Sequence, residues 1–241
     1  MGTAGTVGGT PGHRAAAIIL AGGSGTRIGA GQNKVYVPLA GSAVITWSLR
    51  TLGGLPEIEA VILVVRPQDR EIAQQVLDQE VAEAVEIVDG GSTRQESELC
   101  GLRHLAARIS DGSIDTVLVH DGARPLVGVE LARAVLRAAR KCGGAVPVIP
   151  RDDLALANAG GDRLIGPAPA GLVAVQTPQG FCAAPLLAAC AEAERQGFTG
   201  TDTASCVERF SEVATRWVSG DERNFKVTYP YDLILAEQLL A

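Results

Sequence analysis

Short apolar runs and amphipathic stretches alternate through most of this chain. Ala15-Ala16-Ala17-Ile18-Ile19-Leu20 has no polar position, which is the pattern of a strand buried on both faces. Between 42 and 52 the apolar residues Val44, Ile45, Leu49 and Leu52 recur at helical spacing. The two signatures then repeat. Strands are expected over 15–21, 60–65, 84–88, 116–120 and 145–149, and helices over 42–52, 68–81, 93–109 and 129–141. This βαβα order implies an α/β fold that is Rossmann-like, a mostly parallel sheet with helices on both faces. Segment 150–171 breaks the rhythm. Pro150, Pro167 and Pro169 flank a polar stretch holding Asn158, Gly160 and Gly161, and an extended arm or hairpin is expected there. A strand over 172–176, helices over 185–196 and 201–210, a strand over 212–218 and a helix over 229–240 complete one domain over 15–241. Residues 1–14, rich in glycine, read as a flexible tail.

Ligands of such sheets sit beyond the carboxyl ends of the strands. Three strands run into unusual loops there, at 21–27, 89–94 and 121–125, so all three converge on one crevice. The first is the most telling. Leu20-Ala21-Gly22-Gly23-Ser24-Gly25-Thr26-Arg27 leads off the first strand, and Lys34 follows seven residues later. A strand running into such a turn aims several backbone N–H groups at one point, which suits phosphates, and Arg27 and Lys34 add positive charge. Glycines also end strands for steric reasons alone. A P-loop is excluded because no Gly-Lys pair occurs. A dinucleotide fingerprint fails because Ile28 stands where its third glycine belongs. The second strand ends in Val64-Val65-Arg66, without an acid for a ribose hydroxyl, so an NAD site does not fit, although Arg66 leaves an NADP version open.

Composition narrows this further. The chain has 241 residues, 46% of them hydrophobic but only 4% aromatic, so its core is built from Ala, Val, Leu and Ile. A net charge of −6 argues against a surface that coats nucleic acid. The five cysteines are odd in number and include no Cys-x-x-Cys, so neither a disulfide framework nor a zinc site is expected. Reduced thiols and the lack of both a membrane-length apolar run and a signal-peptide core point to a cytoplasmic protein.

Further clusters carry chemistry. At 90–97, Gly-Gly-Ser-Thr-Arg-Gln-Glu-Ser stands at a strand-to-helix junction. Ser92 or Thr93 can cap the helix, and Ser97 lies one turn in. His120-Asp121-Gly122-Ala123-Arg124-Pro125 puts an acid and a base past a strand end, where Asp121 can orient a hydroxyl or help to hold Mg2+. His120 ends an apolar strand and reads as a core residue or a support behind the site. With His13 in the tail and His104 in mid-helix, a three-histidine metal site is not expected. Thr201 or Asp202 suits a helix cap, and Lys226 is either a surface lysine or, by alternation in a short strand, a group turned toward the crevice.

Taken in order, 21–27, Lys34, 90–97, 120–125, Gln176-Thr177-Pro178-Gln179, Thr201-Asp202 and Lys226-Val227-Thr228 resemble the 2-C-methyl-D-erythritol 4-phosphate cytidylyltransferase family of the non-mevalonate isoprenoid pathway. The resemblance covers about 15–241. It implies a nucleotide-diphospho-sugar transferase-like fold and a reaction in which a phosphomonoester oxygen attacks the α-phosphorus of CTP and pyrophosphate leaves, with Mg2+ as cofactor. It implies catalytic roles for Arg27, Lys34 and Lys226. Nucleotide contacts are implied for Ala21, Gly22, Gly23, Gly25, Gly91, Ser97 and Gly122, and acceptor contacts for Asp121, Arg124, Thr177 and Thr201. Asp121 is the candidate metal ligand beside the CTP phosphates. A homodimer is implied too, in which the arm at 150–171 crosses to the second subunit and grips the acceptor.

Two positions in that arm depart from the family pattern. Asp153 is followed by Leu154 in place of the usual Thr, and Pro169 aligns with an Arg that precedes Gly171-Leu172. Proline cannot supply the bidentate phosphate contacts of a guanidinium. Arg151 or Arg163 can substitute from nearby. A cytidylyltransferase for another polyol phosphate, such as ribitol 5-phosphate, and a non-catalytic nucleotide-binding homologue therefore stand as alternatives.

Overall fold

A computed structural model describes residues 14–23 and 33–241. Gly25 and Arg27 lie outside the described residues, as does the expected tail apart from Arg14. In chain order the elements are β1 (Ala15–Leu20), β2 (Pro38–Leu39), β3 (Ser42–Ala43), α1 (Val44–Gly53), β4 (Ile58–Val65), α2 (Arg70–Glu80), β5 (Val85–Asp89), α3 (Arg94–His104), α4 (Ala106–Ser110) and β6 (Thr116–Asp121). There follow α5 (Val129–Cys142), β7 (Gly144–Pro150), β8 (Ala155–Ala157), β9 (Leu164–Pro167), β10 (Val173–Val175), β11 (Gln179–Cys182), α6 (Ala183–Arg195), α7 (Thr203–Phe210), β12 (Thr215–Ser219) and α8 (Pro230–Leu240).

The main sheet runs β5-β4-β1-β6 in parallel, then β11 antiparallel to β6, then β7 antiparallel to β11. β12 pairs in parallel with β7, and β10 pairs antiparallel with the far end of β7. The unbroken apolar run of β1 now has its reason. Ala15, Ala17 and Ile19 enter one core with Ile45 and Leu49 of α1, Leu77 of α2 and Val135 of α5. Ala16, Ile18 and Leu20 enter the other, with Leu99 and Leu102 of α3 and Leu186 of α6. Burying one such Ile or Leu contributes about 1.5–3 kcal/mol, so the strand that carries the glycine loop is firmly anchored in the sheet. α3 lies close against it. A Cβ at Gly101 would come within 2.9 Å of Ile18 Cγ2, so only glycine lets the helix approach this far.

Several expectations are corrected. The helix expected over 93–109 is two helices. Leu105, fully buried, donates its N–H to both Gly101 and Leu102, and the chain bends there to carry Leu105 and Ile109 into the core. The strand expected over 172–176 ends at Val175, and the reversed strand β11 has no counterpart in the sequence reading. Its periodicity is hidden by Gly180, where a Cβ would meet Val135 Cγ1 at 2.8 Å and Leu118 Cδ2 at 3.0 Å. The minor hairpin β2–β3 has no counterpart there either. Within 150–171, β8 and β9 form an antiparallel hairpin whose turn is held by Asn158 Oδ1, which accepts from the N–H groups of Asp162 and Arg163. Leu154, Leu156, Leu164 and Ile165 of this arm are exposed. Among the described residues no helix is long and apolar enough to cross a membrane.

Candidate active site

The loops after β1, β5 and β6 do meet. They wall a crevice of about 310 Å³ together with Lys34 and the segment 226–228. Gly22 and Gly23 form one wall. Opposite them Gly91, Ser92 and Thr93 lead into α3, whose first turn presents Arg94 and Ser97. That turn is capped twice. Thr93 Oγ1 accepts from Glu96 N at 3.1 Å, and the Glu96 carboxylate accepts from the N–H and hydroxyl of Ser92 at 2.7 and 2.6 Å. At positions 90 and 91 the loop has no room for a side chain. A Cβ on Gly91 would lie 2.3 Å from Glu96 Cβ, and one on Gly90 would lie 2.6 Å from Ser97 Oγ. The Ser97 hydroxyl donates to the Thr93 carbonyl at 2.8 Å.

The floor is a charge cluster centred on Asp121. Lys226 Nζ donates to its Oδ2 at 2.8 Å and Arg94 Nε to its Oδ1 at 3.2 Å, while Arg124 Nε stands 4.0 Å away. Burial pushes the Asp121 carboxyl up, but Arg94 and Lys226 outweigh it and hold the group well below the usual carboxylate range. Behind it His120 is fully buried, and burial drops its imidazole to about 4, so it is neutral. Its Nδ1 meets Thr177 Oγ1 at 3.1 Å. Lys34 is also buried. Its Nζ donates to the Val227 carbonyl at 2.6 Å, one residue from Lys226. Asn33 fixes the turn that carries Lys34, since its Nδ2 donates to Ala21 O and to Asp69 Oδ2, and Asp69 is gripped by Arg66 through two bonds of 2.6 and 2.8 Å. Arg66 is therefore committed to Asp69 and does not serve a 2′-phosphate.

A second, more open groove adjoins the crevice at Lys226. Arg124, Arg151, Asp153, Gln176 and Phe225 are among its walls. Between the two lies a buried scaffold of amides. Gln176 Nε2 donates to Asp221 O at 2.8 Å, Gln179 Nε2 to Asp202 Oδ2 at 2.8 Å, and Asn224 Nδ2 to Thr177 O at 2.8 Å. The first and last of these bonds hang the 221–228 segment on the sheet. The Val227 N–H, donating to Ala123 O at 2.8 Å, aims the segment so that Lys226 faces Asp121.

The sequence matches the family model IspD: 2-C-methyl-D-erythritol 4-phosphate cytidylyltransferase over residues 15–241. The chain belongs to this family. It is 36% identical to the 2-C-methyl-D-erythritol 4-phosphate cytidylyltransferase of Geobacillus thermodenitrificans over 233 residues, which is 93% of this chain and 96% of that protein. The fold follows the crystal structure of 4-diphosphocytidyl-2C-methyl-D-erythritol synthase from Anaerococcus prevotii with a TM-score of 0.81 at 28% identity, covering 95% of this chain and 96% of that one. For the 2-C-methyl-D-erythritol 4-phosphate cytidylyltransferase of Thermus thermophilus the TM-score is 0.72 at 31% identity, covering 94% and 98%.

The residues that the sequence singled out fall into three groups. Gly22, Gly23, Lys34, Gly91, Ser97, Asp121 and Lys226 line the crevice, and Arg124 lines the adjoining groove. Ala21, Gly122 and Thr177 are buried supports. Ala21 is stitched to Val64 and Asn33. A Cβ on Gly122 would strike Ile45 Cδ1 at 2.2 Å. Thr177 Oγ1 accepts from the Asp121 N–H at 3.0 Å, beneath the carboxylate. Thr201 is exposed and lines neither cavity, while Asp202 beside it caps α7 through Ser205 N. The segment around Lys226 pairs in no sheet, so the anchored Val227 is what turns the lysine inward, with no strand alternation involved. Sequence reading gave Arg94 no role and missed Glu98 and Asn33. An acid four residues after an arginine on one helix face was the available signal for Glu98.

Proposed function

We infer that the crevice transfers the cytidylyl group of CTP to 2-C-methyl-D-erythritol 4-phosphate and releases pyrophosphate. The observation that carries this is the pair of cavities meeting at Lys226, one walled by glycine loops and the other by Arg124 and Arg151. CTP occupies the first. Gly22 and Gly23 approach the triphosphate by backbone. Gly91 and Ser97 read the base, for which the narrow glycine-lined wall favours a pyrimidine. The acceptor enters from the second, with its phosphate toward Arg124 and Lys226 at the junction and its polyol hydroxyls within reach of Asp121 across it, where Lys226 Nζ meets the Asp121 carboxylate. An acceptor phosphate oxygen attacks the α-phosphorus, the bond to the pyrophosphate oxygen breaks, and Lys34 with Arg27 stabilises the charge that develops. Asp121 works as an ionised orienting group and not as a base, because the cations around it hold it deprotonated.

Mg2+ does not fit as an ion held by the protein. Asp121 is the carboxylate available, both its oxygens are engaged by cations, and among the described residues no group of three His, Cys, Asp or Glu could hold a metal. We propose that the ion arrives on the CTP phosphates. We also propose a cytoplasmic homodimer. The exposed apolar residues Leu154, Leu156, Leu164 and Ile165 on the arm support it, since a monomer gains nothing by exposing them together. Light scattering on Leu164→Asp should then show half the mass of the parent, and a parent that is already monomeric refutes the dimer.

The acceptor side is where this chain carries two unusual arm residues, Leu154 and Pro169. Pro169 is exposed on the arm, and Arg151 is paired with Asp153 by two bonds of 2.7 Å. That arrangement supports a second reading, transfer to another polyol phosphate. Pyrophosphate release with CTP, Mg2+ and a panel of polyol phosphates decides between them. Equal or better turnover of ribitol 5-phosphate would overturn the first reading, and no turnover of any acceptor would overturn both.

A further inference from the structure

Glu98 places a carboxyl group where the core would accept an apolar side chain. It lies one turn into α3 and is 2% exposed, beside Leu99, Leu102, Cys190 and Cys206 of one core layer. It lines neither cavity. Arg94 Nη1 donates to its Oε2 at 3.0 Å, Thr203 Oγ1 to the same oxygen at 2.9 Å, and the Cys190 thiol approaches Oε1 at 3.7 Å. Taking a carboxylate out of water costs several kcal/mol, which an ion pair repays only with good geometry. Packing alone gives no reason for it. On the other side of Arg94 the crevice begins. Its Nε holds Asp121, its Nη1 holds Glu98, and its Nη2 makes no hydrogen bond to a described residue, while the side chain lines the crevice between Ser97 and Asp121.

We propose that Glu98 is a positioning residue for the transfer reaction. By anchoring one nitrogen of Arg94 from behind, it fixes the guanidinium so that a second nitrogen orients Asp121 and the third is presented to a substrate oxygen at the junction of the nucleotide and acceptor cavities. Without the anchor, Arg94 has several rotamers to choose from and Asp121 loses a fixed partner. A guanidinium held at two points is rigid in a way that a lysine there is not. The proposal rests on the cytidylyltransferase reading of the crevice. Its effect falls on the acceptor side, because Asp121 is where Arg94 acts.

The test is a double-mutant cycle with Glu98→Gln, Arg94→Gln and the double variant, each assayed for pyrophosphate release with CTP and 2-C-methyl-D-erythritol 4-phosphate, and for CTP affinity by calorimetry. Glu98→Gln keeps the shape and an acceptor for Thr203. Because Arg94 and Thr203 share one oxygen, the amide keeps both bonds and loses only the charge, which predicts a fall in kcat/KM for the acceptor of about 10-fold, with the Kd for CTP within about twofold. The double variant should be no slower than Arg94→Gln alone, since Glu98 acts only through Arg94. A structural role would instead give losses that multiply, or a CTP affinity that falls in step with kcat/KM, and either result overturns the proposal. So does Glu98→Gln at parent kcat/KM. Should Glu98→Gln not fold, Arg94→Lys decides. A fall as deep as that of Arg94→Gln supports the fixed guanidinium, and parent activity refutes it. An active parent with indifferent variants sinks this proposal alone, whereas an inactive parent sinks the cytidylyltransferase reading and this proposal with it.

Discussion

Replacing Lys34 by Met separates a chemical role from a structural one. The residue is 7% exposed, and its Nζ donates to the Val227 carbonyl at 2.6 Å, so the lysine also pins the segment that brings Lys226 to Asp121. Met fills nearly the same space, and no cavity opens. Two losses follow. The Val227 carbonyl loses a charged donor, which costs about 1–3 kcal/mol of folding stability. The developing charge on the phosphoryl oxygens loses a stabilising cation, which lowers kcat about 100- to 1,000-fold. CTP affinity should fall much less if, as proposed, the backbone of the glycine loops holds the nucleotide in the ground state. Steady-state pyrophosphate release, calorimetry with CTP and urea denaturation measure the three quantities separately. A variant that loses the expected stability but keeps kcat within about threefold of the parent would show that Lys34 is only the pin for Val227. The proposed transition-state role would then be wrong.

Other outcomes are equally specific. Gly122→Ala brings a Cβ to 2.2 Å from Ile45 Cδ1 and 3.1 Å from Leu20 O, and since the carbonyl belongs to a central strand it cannot yield, so urea denaturation should show a loss of about 1–3 kcal/mol; an unchanged midpoint refutes the close packing. His120, ordinarily near 6.5, is dropped to about 4 by burial. Between those values the unfolded chain binds a proton that the folded chain refuses, so stability should fall by up to about 3 kcal/mol as pH goes from 6.5 to 4, and a flat profile in urea melts at stepped pH contradicts it. Pro169→Arg should lower KM for 2-C-methyl-D-erythritol 4-phosphate toward the roughly 10- to 150-fold gain that one charged contact gives, about 1.5–3 kcal/mol, with CTP affinity unmoved; an unchanged KM means that position 169 does not meet the acceptor phosphate.

The parts of the fold set by burial on both faces were legible in the sequence. β1, β4 and β6 are apolar runs because both cores claim them, and a run such as Ala15–Leu20 has no other use. β11 was not legible, since Gly180 and the polar Gln179 interrupt it and the strand is completed by neighbours distant in the chain. At the site, the glycines announced themselves through spacing, and Lys34 and Lys226 through the ordered motifs. Thr177 and Gly122 belong to those same motifs yet lie beneath the crevice wall, because a motif marks what must be held in place and not only what touches a ligand. Asn33 gave no sign of function, and Glu98 only its helical spacing from Arg94. Their importance lies in contacts across the fold, to Thr203 and to Asp69, which no local pattern encodes.

The crevice draws on Gly22 at one extreme of the sequence and on Lys226 and Thr228 at the other, and the finished sheet brings the two together, where Lys34 Nζ meets the Val227 carbonyl. During synthesis the glycine loops emerge early, but the lysine that neutralises Asp121 emerges after every strand of the sheet. A growing chain therefore has no complete nucleotide site to offer. CTP cannot assist the early steps of folding, and its binding energy stabilises only molecules that have already closed the 221–228 segment over Asp121. In a cell rich in nucleotide, ligand-dependent protection from proteases would thus mark completed molecules and leave stalled or truncated ones to be cleared.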